Sequence, residues 1–265
     1  MPLISTHCIH NVLKRYAGLL VILLSMGGAF FEGGLRAETM SSAPDQAVLF
    51  IDPGHGGQDT GAKGATGLLE KNAMMSLGKR LYDSLGQNHT PRLSRNDDYN
   101  VELFRRTENA NSQEADLFVS LHAGGAFSHS TGGVVIYYYL DYPGRIFPDE
   151  PNDGLTIDQT MVRVPWHSVQ YRHSAESRLL AEFLQAALAP LAGAANCRIA
   201  GAPLLVLSAA DMPAVLIEFG YLNNPATEKK MADPHHLDSL AEAAYKGLER
   251  YLGRPPGITS IDLHE

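Results

Sequence analysis

The sequence predicts an α/β domain with a central, mostly parallel sheet and helices on both faces, and two patterns carry that prediction. Short apolar runs that read as strands alternate with longer segments of helical periodicity, the signature of strands joined by crossover helices. Three of those runs also deliver an ionisable residue at their C-terminal end with glycine close by. Val48 to Ile51 runs through Asp52-Pro53-Gly54 to His55, with Gly56 and Gly57 behind it. Asp116 to Leu121 ends on His122, followed by Ala123, Gly124 and Gly125. Met212 to Ile217 ends on Glu218, followed by Phe219 and Gly220. In an open α/β sheet the carboxyl ends of the strands are where ligands bind. With 265 residues and 45% hydrophobic content, the chain has material for one large domain.

Taken in order, residues 1–37 read as a secretory signal. A polar lead with Lys14 and Arg15 precedes the uncharged apolar run Ala17 to Phe31, and Ala37 offers a small residue for cleavage. The run is short against the roughly twenty residues a membrane span needs, and an uncleaved anchor is the alternative. Either way the remainder faces outside the cytoplasm, in the periplasm or cell envelope. Residues 38–47 read as a polar lead-in, residues 48–252 as the folded domain and residues 253–265 as a loose tail. Beyond residue 37 the chain carries 18 basic and 28 acidic side chains, a net charge of −10. That excess argues against nucleic acid and against an anionic membrane as partners. Cys8 lies in the signal and leaves Cys197 alone, so no disulfide pairs within the mature chain and a metal would have to use histidine and carboxylate.

The loop Gly54 to Gly67 is rich in glycine but matches neither GxxxxGK[ST] nor GxGxxG, which speaks against a phosphate cradle. Glu70 opens a helix whose apolar face is Met74, Leu77, Leu81 and Leu85. Thr90 to Leu93 reads as a weak strand. Val101 to Asn111 reads as a helix with Leu103, Phe104, Thr107 and Ala110 on its inner face. Val134 to Leu140 has strong β-propensity. Asp141 to Arg172 is a long connection with four prolines and the only tryptophan, Trp166; connections of this length are usually functional or disordered. Ser174 to Leu188 has helical spacing with Ser174 as N-cap. Pro203 to Leu207 reads as a short strand, and Leu237 to Leu252 as the last helix.

His55, His122 and Glu70 together supply two imidazoles and a carboxylate, a known catalytic zinc set that leaves a fourth position open. Taken singly each has a plainer reading: Glu70 is a carboxylate favoured at a helix N-terminus, and Glu218 is one held by amides or an arginine at a strand end. As a fourth ionisable group, Glu218 could instead serve as general base beside an activated water.

At these residues the chain resembles the zinc-dependent N-acetylmuramoyl-L-alanine amidases, from about Val48 to Leu252. The likeness rests on the DPGHGG loop with His55, GLLEK with Glu70, LSRNDD from Leu93 to Asp98, and L-x-x-R-x-x-x-A-N from Leu103 to Asn111. ADLFVSLHA with His122 and MPAVLIEFGYLNN with Glu218 complete it, in the family's order. The resemblance implies an α/β sheet of about six strands between helices, phosphorylase/hydrolase-like in type. It implies Zn2+ on His55, Glu70 and His122, with Glu218 as the catalytic acid–base. It also implies peptidoglycan as substrate, cut at the amide between N-acetylmuramic acid and the L-alanine of the stem peptide. A zinc peptidase and a non-catalytic wall-binding module are the alternatives, and the second would predict loss of one of the four residues. A protein activator is left open. So is autoinhibition: some relatives place a blocking helix where Asp141 to Arg172 lies, and none is readable here. Trp166, Gln170 and His173 are the expected substrate-cleft residues at the end of that connection. Gly124 stands where the family usually has asparagine or aspartate.

Overall fold

The computed structural model describes residues 46–126, 128–140, 166–255 and 257, and of 166–168 the backbone alone. The expected signal, residues 1–37, and residues 141–165 of the long connection lie outside the described residues. Six strands form one sheet: β1 (Val48–Pro53), β2 (Thr90–Leu93), β3 (Leu117–His122), β4 (Val134–Tyr139), β5 (Cys197–Ala202) and β6 (Ala214–Glu218), in the order β2-β1-β3-β6-β4-β5. All neighbours run parallel except β4 and β6. The sheet is therefore a parallel group of four and a parallel pair, joined at one antiparallel seam.

Strand side chains alternate between the two faces, and the burial follows that period. Leu49, Ile51, Val119, Leu121, Val215 and Ile217 pack into one cluster with residues of α1 (Glu70–Leu85), α3 (Ser174–Ala192) and α6 (Pro234–Leu252). Phe50, Phe118, Ala214 and Leu216 face the other way, onto α2 (Leu103–Ser112) and α4 (Leu205–Ser208). Both faces are covered, as expected for strands that read as near-continuous apolar runs.

Three expectations are corrected. The run Pro203 to Leu207 is not a strand. The edge strand is Cys197–Ala202, parallel to β4, and Leu205–Ser208 forms a helical turn that lays Val206 and Leu207 on the sheet. Small residues suit that edge: a side chain at Gly201 would meet Leu140 at 2.6 Å. Second, α2 does not turn Leu103 and Phe104 inward; they are 41% and 59% exposed, while Arg106 is 5% exposed. Leaving a phenylalanine out forgoes about 1.5–3 kcal/mol of burial, and the buried counter-charge of Asp52 makes the exchange workable. Third, a helix was missed. α5 (Pro225–Met231) starts at Asn224, whose side chain accepts from the amides of Ala226 and Thr227, with proline in its first turn.

Candidate metal centre

β1, β3 and β6 are neighbours, so their carboxyl ends deliver His55, His122 and Glu218 to one edge of the sheet. His122 and Glu218 are register partners. Glu70, the first residue of α1, reaches the same place. It is 2% exposed, which a helix-dipole preference alone would not produce. Its Oε1 lies 3.1 Å from His55 Nε2 and 2.9 Å from His122 Nδ1, and accepts from the Ala123 amide at 2.9 Å. Its Oε2 accepts from the Ala62 amide at 2.8 Å. Burial works against its charge, but the imidazole partners outweigh it and hold the carboxyl far below the usual range.

One donor atom from each of His55, Glu70 and His122 falls within 4.8 Å of the others. Zinc bonds of about 2.0–2.2 Å in tetrahedral geometry place donors roughly 3.3 Å apart, so the trio fits such an ion with little movement. The surroundings fit as well. Asp59 Oδ2 lies 2.8 Å from His55 Nδ1. A carboxylate there requires the proton on Nδ1 and leaves the Nε2 lone pair for a metal, the usual outer partner of a ligating histidine. Burial lowers the His55 pKa, yet Glu70 and Asp59 raise it further, so it stands above 6.5 in the metal-free chain.

His55 holds φ at +61°, a left-handed backbone for a side-chain-bearing residue. Such a conformation costs on the order of 1–3 kcal/mol and persists where the surroundings over-determine it. Here they do. Arg106 Nη2 donates to the His55 carbonyl at 3.0 Å, Arg95 Nη2 to the Gly54 carbonyl at 2.7 Å, and Lys71 Nζ to the Gly57 carbonyl at 2.7 Å. On the other approach to Glu70, the Glu228 carboxylate takes bonds from the amide and hydroxyl of Thr66 and the amide of Leu68. Gly61, at φ +62°, passes so close that a Cβ would lie 2.5 Å from the His55 ring and 2.6 Å from Glu70 Oε2.

Glu218 makes no ion pair among the described residues and accepts from the Gly124 amide. Burial pushes its pKa up, against the Gly124 amide, and the Glu70 charge adds to the rise. A Cβ at position 124 would lie 2.9 Å from Glu218 Oε1, so glycine there gives the backbone amide its close approach. A partly buried carboxylate with a raised pKa beside a metal-binding trio is suited to take up a proton.

Of the three cleft candidates, Gln170 and His173 are not brought to this edge. Gln170 is fully buried and donates to the carbonyls of Ala210 and Met212, while its own oxygen takes the Ser177 hydroxyl. His173 meets Asp211 at 3.0 Å. Both therefore sit beyond the amino end of β6, roughly 20 Å of strand from Glu218 at about 3.3 Å per residue. Trp166 opens the 3-10 helix Trp166–His173 on the same approach. An uncharged glutamine has no cheaper way to be buried than to saturate its amide, and the open carbonyls ahead of β6 provide that. Asp52, Asp59, Arg95, Arg106 and Glu228 also serve the site; Asp52, Arg95 and Arg106 stand within the motifs around the ligands, whereas Asp59 and Glu228 lie outside them and carry no such signal.

Residues 49–250 match the sequence model of a family described as N-acetylmuramoyl-L-alanine amidase. The chain is 32% identical over 205 residues to the N-acetylmuramoyl-L-alanine amidase LytC of Bacillus subtilis, covering 77% of this chain and 35% of that protein. It is 29% identical over 221 residues to the N-acetylmuramoyl-L-alanine amidase AmiC of Neisseria meningitidis, covering 77% and 52%. The chain thus spans between a third and about half the length of these two relatives. Among solved structures, the amidase AmiC2 of Nostoc punctiforme superposes with a TM-score of 0.61 at 30% identity, covering 78% of this chain and 98% of that one. The N-acetylmuramoyl-L-alanine amidase from Clostridium difficile 630 does so with 0.61 at 26%, covering 78% and 97%.

Proposed function

Because the chain belongs to the N-acetylmuramoyl-L-alanine amidase family, we propose that it is a zinc-dependent peptidoglycan hydrolase acting in the cell envelope. The bond cut is the amide between N-acetylmuramic acid and the L-alanine of the stem peptide. The observation that carries the reading is the convergence of His55, Glu70 and His122 beside Glu218. In it, His55, Glu70 and His122 hold zinc, which when bound supplies the Lewis acidity that polarises a carbonyl and makes water a nucleophile near neutral pH.

The chain's own residues do the rest. Asp59 keeps the proton on His55 Nδ1 and so fixes the ring's tautomer. Glu218 takes one proton from the water as its oxygen attacks the amide carbon. As the C–N bond breaks, Glu218 passes that proton to the departing L-alanine nitrogen, and the muramic acid side keeps the hydroxyl. The Gly124 amide steadies the carboxylate between the two transfers.

Metal analysis of the purified chain, with a digest of isolated peptidoglycan, tests this. The expected result is about one zinc per chain and stem peptides beginning at L-alanine alongside intact glycan strands. Peptides opened at an internal bond would make the protein a zinc peptidase. Binding to peptidoglycan with no products would make it a wall-binding module.

A further inference from the structure

Arg106 takes no part in the chemistry just described, yet it is buried where the same helix leaves Leu103 and Phe104 outside. Its guanidinium meets four chain positions at once. Nη1 donates to Asp52 Oδ1 at 2.6 Å and to the Pro53 carbonyl at 3.2 Å, Nη2 to the His55 carbonyl at 3.0 Å, and Nε to the Val101 carbonyl at 3.1 Å. Asp52 is itself fully buried and takes the hydroxyls of Ser94 at 2.6 Å and Ser120 at 2.8 Å. Every oxygen of that carboxylate is satisfied, so it acts as a fixed anchor for the guanidinium. The far end of the fork then grips the residue whose backbone is left-handed.

We propose that Arg106, anchored by Asp52, is a positioning residue that holds the His55 carbonyl and thereby the left-handed backbone that aims the imidazole at Glu70 and His122. Three points of geometry support it. A relaxed backbone at His55 would swing its ring away from Glu70, because backbone and ring direction change together. The contact is to the carbonyl of the ligand residue itself, one bond from the strained dihedral. And only a planar fork can reach Asp52 and the His55 carbonyl together, since an ammonium group is a single point of charge. Arg95 performs the neighbouring task through the Pro53 and Gly54 carbonyls at 2.9 and 2.7 Å, which leaves the His55 carbonyl to Arg106 alone among the described residues.

The inference rests on the zinc reading above, and the test separates the two. Zinc affinity of the full chain is measured by chelator competition, with thermal unfolding of the metal-free form and the absorption bands of the Co2+-loaded form alongside. If the unaltered chain binds no zinc, the metal reading fails before any variant is compared, and the positioning role falls with it. Arg106→Lys keeps a charge against Asp52 but gives up the reach to His55. Its metal-free form should melt near the unaltered chain. Its zinc affinity should fall about 10–100-fold, the usual effect of losing an outer partner of a metal ligand, and its Co2+ bands should shift. Asp52→Asn keeps the anchor's shape but removes its charge, and should lower zinc affinity in the same direction by a smaller factor. Wild-type zinc affinity in a folded Arg106→Lys chain overturns the proposal. So does the failure of both variants to fold, which would make the pair a folding element.

Discussion

Replacing Glu218 by glutamine separates proton transfer from metal binding, because the two are carried by different residues at the same sheet edge. The amide has the size of the carboxylate, and its oxygen can still accept from the Gly124 amide. None of the three converging donor atoms belongs to Glu218, so zinc content should stay at about one per chain. Stability should hold as well. The carboxylate is partly desolvated, at a cost that raises its pKa, and a neutral amide avoids that cost while keeping a hydrogen bond worth about 0.5–1.5 kcal/mol. What is lost is the proton acceptor. General acid–base groups contribute about 10²–10⁴ in rate. At about 1.4 kcal/mol per tenfold this is roughly 3–5 kcal/mol of barrier.

The assay is release of soluble fragments from purified peptidoglycan at saturating zinc, with metal content and melting temperature measured on the same preparation. The pH profile adds a second readout. In the unaltered chain activity should fall as pH drops through the Glu218 pKa, because the protonated form cannot accept. Glu218→Gln should lack that acid limb. Turnover within tenfold of the unaltered chain would refute the proton-transfer role. Loss of zinc would make Glu218 a ligand and put Glu70 in question.

Other outcomes follow from the same geometry. Gly61→Ala should cost about 1–2 kcal/mol of stability for its left-handed backbone and lower zinc affinity about 10–100-fold by pushing on His55 and Glu70; an unaltered affinity by chelator competition would contradict the close packing at 2.5 and 2.6 Å. Apparent zinc affinity should weaken as pH falls below the His55 pKa, raised above 6.5 in the metal-free chain, by about tenfold per pH unit, because a proton on that nitrogen must leave before metal binds. A flat affinity across about pH 5 to 8 would exclude His55 as a titrating ligand. Removing zinc with a chelator should abolish activity and lower the melting temperature, and zinc at a hundred times its dissociation constant should restore about 2.7 kcal/mol; equal melting with and without zinc would argue against a site in the folded chain. His55→Ala, Glu70→Ala and His122→Ala should each leave a folded domain that has lost most of its zinc, and full occupancy in any two would overturn the ligand assignment.

Much of the fold and the site is readable along the chain because its causes are local. A strand announces itself by a run of apolar residues and ends where proline or glycine breaks it, so the carboxyl ends of β1, β3 and β6 and the ionisable residues beyond them follow from residue order alone. The starts of α1 and α3 follow from the 3.6-residue spacing in the same way, whereas the seven residues of α5 are too few to show that period. What the chain order does not contain is which strands become neighbours. His55, Glu70 and His122 span 67 positions, and Glu218 is almost a hundred further on. They meet because the sheet runs β1-β3-β6, a property of all six strands together. The inward turn of Arg106, and with it the exposure of Leu103 and Phe104, is likewise beyond local reading. Apolar spacing says which side chains gain by burial, but an arginine is buried only when an anchor such as Asp52 waits for it on another strand. Gln170 shows the converse: a polar residue at the end of a long connection looks available for substrate until the tertiary structure supplies backbone carbonyls that take up its amide. Hydrophobic periodicity is a property of neighbours in sequence, whereas the partners that stabilise a buried charge or polar group are set by the packing of the whole domain.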